Sequence, residues 1–302
     1  QGKDNHRYEW IDQWATLPGD KQFGYTHAVA EAADGRIFIH NQSKDSVAIF
    51  SPDGEFLNAW GEEYAQGAHG MELHKEVGGE FLYLAPTNQH FVAKTTLDGE
   101  VLFKLEYPSQ CVAYENAEQY NPTNIAIASN GDFYVADGYG LSYIHQYNKD
   151  GEYIRSWGGK GRDKGELNCP HGIWIDTRNG KEEIVVADRA NVRLQYFSLD
   201  GNHLRFVEHG LLFPCHFDQQ GTDLLIPDLY GRVTILDKDN KVITHLGEDP
   251  AVEERDGYPN LPHAQRVPGK FISPHGACWD RTGNIFVAEW IEDGRITKLK
   301  RL

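Results

Sequence analysis

Short apolar runs, each broken by a glycine-centred turn and closed by a polar corner, succeed one another along the whole chain. The phrase THAVAEAADGRIFIHN starts at Thr26, and AHGMELHKEVGGEFLYLAP follows from Ala68. It returns as PTNIAIASNGDFYVADGYG from Pro122 and PHGIWIDTRNGKEEIVVADRA from Pro170. The last copies are PCHFDQQGTDLLIPDLYG from Pro214 and PHGACWDRTGNIFVAEW from Pro274. β-Branched and aromatic residues in runs of this length, bounded by Gly, Asn and Asp, predict pairs of antiparallel strands. A second phrase follows most copies: IFSPDGEFLNAWG, KTTLDGEVLFKL, QYNKDGEYIRSWG, YFSLDGNHLRFV and ILDKDNKVITHLG. Asp-Gly between alternating runs is a strong hairpin signal, because the tight turn needs positive φ. These turns fall at Asp53, Asp98, Asp150 and Asp200, with Asp239-Asn240 as a divergent fifth.

Two hairpins per copy make four short strands in about 40–50 residues, the length of one propeller blade. Six copies predict an all-β fold, a six-bladed β-propeller in a single domain over residues 1–302. The sixth copy ends at ITKLKRL without a fourth strand of its own. The segment YEWIDQWATLPG near the N-terminus matches GEYIRSWGGKG in character and is expected to supply it. Closing the last blade in this way removes two open sheet edges. Residues 107–121 and 248–272 exceed the repeat and read as loops on the faces.

Composition narrows the partners. The 31 glycines, 15 tyrosines, 14 phenylalanines and 7 tryptophans favour turns and strands. No apolar run approaches the roughly 20 residues of a membrane helix. A formal charge of −16 argues against nucleic acid and anionic membranes, since phosphate binding needs cationic patches. The charge excludes nothing further, and the expected partner is a small-molecule or peptide substrate. The chain begins at Gln1 without a charged-then-apolar leader, which fits a mature secreted or periplasmic chain and equally an arbitrary starting point. Cys111, Cys169, Cys215 and Cys278 form no CxxC pair and read as buried free thiols, with one disulfide as the alternative.

The first strand of each propeller blade lines the central channel, so its opening residue carries the chemical signal. Aligning the six phrases gives His27, His69, Asn124, His171, Cys215 or His216, and His275. His69, His171 and His275 belong to alternate blades and each stands before a Gly. Three imidazoles converging from alternate blades would make a three-His site with open coordination positions, the pattern of catalytic zinc. The competing reading is structural: a His at a strand start also bonds a neighbouring loop, and repeat ancestry alone would copy it. His27, Asn41, Asn124 and His216 are the candidates for substrate contact. Asp137, Asp188, Asp228 and Glu289 close the same strand in four blades, and an acid repeated at a corner reads as structural, for instance Asp188 holding Arg193.

The phrases VADGYG and VADRANVRLQYF resemble the NHL-repeat family, and the resemblance extends over all six copies. The segments AHGMEL, CPHGIWID and SPHGACWD are further similar to those of the peptidyl-α-hydroxyglycine α-amidating lyases. That family is a six-bladed propeller holding zinc with one His from each of three such strands. The resemblance implies His69, His171 and His275 as ligands, Tyr139 of VADGYG as a catalytic tyrosine and Arg189 of VADR as a catalytic arginine. Residue by residue, Tyr139 also reads as a packed corner aromatic and Arg189 as a structural partner. The chain departs from the lyases at His40-Asn41-Gln42, where a further catalytic Arg belongs. It departs again at Gly276, where they have an Asp associated with structural calcium. An imidazole-rich set suits zinc or another divalent transition metal, and calcium is the less supported ion.

No GxSxG, Walker loop, HExxH or strand-to-helix GxGxxG is present. The expectation is therefore a metal-dependent lyase or hydrolase acting on a small hydroxyl- or carbonyl-bearing substrate, with isomerisation open to the same parts. Tyr139 would serve as acid and base. Neutral imidazoles are required of metal ligands, so activity should collapse below about pH 6. The alternative is a non-enzymatic propeller that binds a protein or glycan on one face.

Overall fold

Each repeat phrase folds as one antiparallel sheet, and the six sheets are the blades of a β-propeller. The computed structural model describes residues 1–302, and it contains no α-helix, only single-turn 3-10 segments. No helix is long and apolar enough to cross a membrane. The chain divides into two compact units. Residues 66–209 hold blades two, three and four; residues 1–65 with 210–302 hold blades five, six and one.

In the 66–209 unit, blade three runs Asn124–Ile127, Phe133–Ala136, Tyr143–Tyr147 and Tyr153–Gly158, in sequence order across the sheet. Its strands bury both faces. Ile125, Ile127, Phe133 and Val135 pack on Tyr83, Ala85 and Val92 of blade two. The residues between them, Ala126, Tyr134 and Ala136, pack on Ile173, Ile184 and Val186 of blade four. Period-two alternation thus feeds two blade-to-blade cores at once, and each fully buried Ile or Phe contributes about 1.5–3 kcal/mol.

Blade six of the other unit follows the same rule. Phe286 and Ala288 face Ile37, Ile39 and Phe50 of blade one, while Ile285 and Val287 face Leu225, Val233 and Ile235 of blade five. The expected closure is present: His6–Ile11 pairs antiparallel with Arg295–Arg301, from Tyr8↔Arg301 to Ile11↔Lys298. Gly2–Lys3 adds a fifth strand to that sheet.

In blades one to five the last hairpin carries a register shift at the same place, at Ile49/Phe50, Val101/Phe103, Gln146/Tyr147, Tyr196/Phe197 and Ile235/Leu236. A bulge beside an edge strand sharpens its twist and spoils it as a template for pairing with another chain. All four cysteines are free thiols, buried except for half-buried Cys169.

Candidate active site

The opening of the first strand is bulged in three blades, between Thr26 and Ala28, Pro170 and Ile173, and Pro274 and Gly276. A bulge leaves a residue off the ladder and re-aims its side chain. His27, His171 and His275 are the residues so treated. In blade two His69 directly precedes the strand that starts at Gly70.

The register corrects one position of the repeat alignment and decides another. Gly70 pairs with Ala85, Gly276 with Ala288 and Asn124 with Ala136, so Asn124 matches the Gly and Thr123 matches the His. Asn124 turns its Oδ1 onto the Ile125 amide at 2.8 Å, within its own strand. In blade five the Pro214↔Asp228 bridge assigns the His position to Cys215. His216 falls one residue later, and burial pushes its pKa down to about 4, against the opposing pull of the Ala277 backbone.

The Gly after His69 and the Gly after His275 have a physical cause. A Cβ on Gly70 would lie 2.3 Å from the Thr123 oxygen, and one on Gly276 would lie 2.3 Å from the His27 oxygen. Close approach of the neighbouring strand lets His69 Nδ1 donate to Thr123 O at 2.7 Å and His275 Nδ1 donate to His27 O at 2.9 Å. A carbonyl oxygen only accepts, so both neutral rings carry hydrogen on Nδ1 and a lone pair on Nε2. The structural reading of these histidines holds for one ring nitrogen.

Within the 66–209 unit the Nε2 atoms converge. The Tyr139 hydroxyl lies 3.3 Å from His69 Nε2 and 3.0 Å from His171 Nε2, and the two imidazole rings are 4.6 Å apart. Arg189 Nη2 donates to the same hydroxyl at 3.2 Å, with its guanidinium 5.3 Å from the Tyr139 ring centre. His69, His171 and Arg189 are buried, whereas Tyr139 is 44% exposed. Cys169, at φ +57°, accepts from Arg189 Nη2 at 3.3 Å. Burial raises its thiol pKa, with the Arg189 charge opposing. Cys169 is a neighbour of the site that the repeat pattern did not single out.

In the other unit His27 and His275 stand with ring centres 4.6 Å apart, and His27 Nδ1 bonds Tyr25 O at 3.1 Å. Asn41 does not belong with the substrate-facing residues. It is fully buried, accepts from the amides of Gly24 (3.3 Å) and Ser43 (2.9 Å), and donates to Asp45 O (2.8 Å) and Ser46 O (3.2 Å). Both its amide hydrogens and both lone pairs are spent on the corner loop.

The corner acids are structural ties, as the repetition implied. Asp188 accepts from Arg193 Nε at 2.6 Å and Asn168 N at 2.7 Å. Asp228 takes Arg232 Nε at 3.2 Å and the amides of Leu212 and Phe213. Glu289 takes Arg295 and the Ile272 amide.

No family model matches the chain. It is 25% identical over 187 residues to the human protein named NHL repeat-containing protein 3, covering 59% of this chain and 53% of that protein. It is 26% identical over 263 residues to peptidyl-alpha-hydroxyglycine alpha-amidating lyase 1 of Drosophila melanogaster, covering 80% of this chain and 46% of that one. The chain thus spans about half the length of these curated relatives. Among solved structures, a catalytically inactive virginiamycin B lyase from Staphylococcus aureus with quinupristin superposes with a TM-score of 0.61 at 13% identity, over 98% of this chain and all of that one. A gluconolactonase of Xanthomonas campestris gives 0.66 at 13% identity, over 98% and 90%. The chain is therefore similar in sequence to NHL-repeat proteins and amidating lyases, and the solved structures share its fold.

Proposed function

We propose that the chain is a metal-assisted lyase, or a hydrolase built from the same parts, acting on a small or peptide substrate with a hydroxyl or carbonyl oxygen. Imidazoles of the repeated HG phrase, His69 and His171 among them, would hold zinc or another divalent transition metal. The observation that carries this reading is the convergence of His69 Nε2 and His171 Nε2 on the Tyr139 hydroxyl, with Arg189 beside it. The donor set fits such an ion. Carbonyl bonds fix the Nε2 lone pair on His69 and His275, as second-shell partners of metal-bound histidines do. Imidazole nitrogen also suits zinc better than calcium.

A bound divalent ion supplies Lewis acidity toward the substrate oxygen. The remaining work falls to the protein. On an N-acyl-α-hydroxyglycine, the Tyr139 phenol gives its own proton toward the leaving nitrogen while its oxygen takes the hydroxyl proton, as the C–O bond becomes C=O. The C–N bond breaks and its electron pair leaves with nitrogen. Arg189 donates to the Tyr139 oxygen and compensates the charge developing there. The name of the Drosophila relative supports starting with this substrate class.

Elemental analysis of purified protein beside His171→Ala tests the reading. About one transition ion per chain, lost in the variant together with turnover of an α-hydroxyglycine peptide, is the expected result. A wild-type protein that takes up no metal, even after incubation with zinc, overturns it in favour of a binding propeller.

A further inference from the structure

Tyr139 stands on the turn between the second and third strands of blade three, and that turn is wrapped around one buried carboxylate. Asp137 is fully buried; Oδ1 accepts from Asn121 N at 2.6 Å and Oδ2 from Leu141 N at 2.6 Å. Its backbone closes the turn, with N donating to Tyr143 O at 2.9 Å and O accepting from Ser142 N at 3.0 Å. Tyr139 N donates to Asn121 O at 3.3 Å. Only glycine fits at 140, where a Cβ would lie 2.2 and 2.3 Å from the two carboxylate oxygens.

In blades four, five and six the corner acid is bonded by an arginine that opens the third strand: Arg193, Arg232 and Arg295. Blade three has Tyr143 at that place. The donor comes instead from the 107–121 insert. Tyr114 OH donates to Asp137 Oδ2, and the same phenol oxygen receives His145 Nε2 at 2.9 Å. His145 Nδ1 meets Ser156 Oγ at 2.7 Å, and Ser156 meets Tyr153 OH at 2.9 Å. With the Tyr114 proton committed to the carboxylate, His145 must donate from Nε2 and accept at Nδ1. The chain then runs one way, from Tyr153 through Ser156, His145 and Tyr114 to Asp137.

We infer that Tyr114 is a positioning residue: it fixes the Asp137 carboxylate, and through it the turn that holds Tyr139 against His69 and His171. The inference rests on the reading of Tyr139 as the proton-transfer group. Blade three departs from the arginine pattern of blades four to six, and it is the blade whose corner carries Tyr139.

Tyr114→Phe removes one oxygen and keeps the ring. With an α-hydroxyglycine peptide as probe, kcat is expected to fall about 10- to 100-fold with KM within about twofold and metal content unchanged. In protein labelled with 13C-tyrosine, the Tyr139 ring signals, assigned by Tyr139→Phe, are expected to shift. Thr234→Val is the control, because Thr234 bonds Asp228 and His245 at 3.0 Å each in blade five. It should lower Tm and leave both kcat and the Tyr139 signals alone. Should Tyr114→Phe not fold, Ser156→Ala interrupts the same chain at its far end, with an expected loss in kcat of about two- to fivefold. Unmoved Tyr139 signals with unchanged kcat overturn the inference. A wild-type protein that turns over no probe sinks the lyase reading instead, and the ring signals still decide the positioning role.

Discussion

Removing the hydroxyl of Tyr139 separates proton transfer from metal binding. Tyr139→Phe leaves His69 and His171 in place and takes away the oxygen that both Nε2 atoms and Arg189 meet. The expected outcome is a loss in kcat of about 10²–10⁴ with KM and metal content nearly unchanged. Steady-state kinetics beside elemental analysis checks it, and a parallel loss of metal would mean that Tyr139 builds the site rather than works in it. Gly276→Ala probes the backbone that supports His275. Its methyl would overlap the His27 oxygen, a main-chain atom that cannot move aside. A cost of about 1–3 kcal/mol is expected, read as a lower urea midpoint. Tyr139, Arg189 and the three HG histidines stand out in the sequence because they sit at fixed offsets within the repeated phrase. Asn124 misled, and Cys215 could not be told from His216, because a polar residue one place along looks equivalent in sequence, whereas a bulge is a property of backbone pairing. Asn41 misled for another reason: its four hydrogen bonds close a loop that no spacing reveals.

The strand His6–Ile11 does for blade six what each other blade does with its own last strand, so its anchor should weigh like a core residue. Tyr8 is 1% exposed and packs with Leu225, Val233, Trp279 and Leu299. Tyr8→Ala is expected to cost about 3–5 kcal/mol, while Tyr8→Phe, which keeps the ring, should cost less than about 1 kcal/mol. Equilibrium urea unfolding distinguishes them, and equal midpoints for the two variants would mean that the closing strand adds little. This element was readable in advance: the sixth copy lacked a fourth strand, and an unmatched strand-like segment stood near the N-terminus. The hairpins were readable from their Asp-Gly turns. Tyr114 was not, since a long insert shows only that it exceeds the repeat. Its partners Asp137 and His145 lie 23 and 31 residues away, and the tie forms only once the blade has folded.

Buried titratable groups of opposite character set the pH response of the whole molecule. Burial raises Asp137 to about 6 and Asp218 to about 7. Each favours folding in its protonated form, so its contribution is complete below about pH 4 and is lost as pH rises through the folded value. Burial lowers His145 to about 3 and His216 to about 4. Each folds neutral, so its contribution is complete above about pH 6.5 and is lost as pH falls toward the folded value. Between pH 4.5 and 6.5 the two carboxyls hold protons that the unfolded chain has released, and the two imidazoles lack protons that it has taken up. The opposed slopes largely cancel. His74, His203 and His245, also held down by burial, add to the loss on acidification, and Asp188 and Asp228, also raised by burial, oppose it. Metal-free wild-type protein is therefore expected to show a nearly flat Tm from pH 6.5 to 4.5. Asp218→Asn removes one carboxyl from the balance and leaves both histidines. Whatever fixed cost the amide brings, its Tm should climb more steeply with pH across that window than the wild-type Tm does. Differential scanning calorimetry at four or five pH values reads the difference, and two parallel curves would show that Asp218 does not hold its proton in the folded protein.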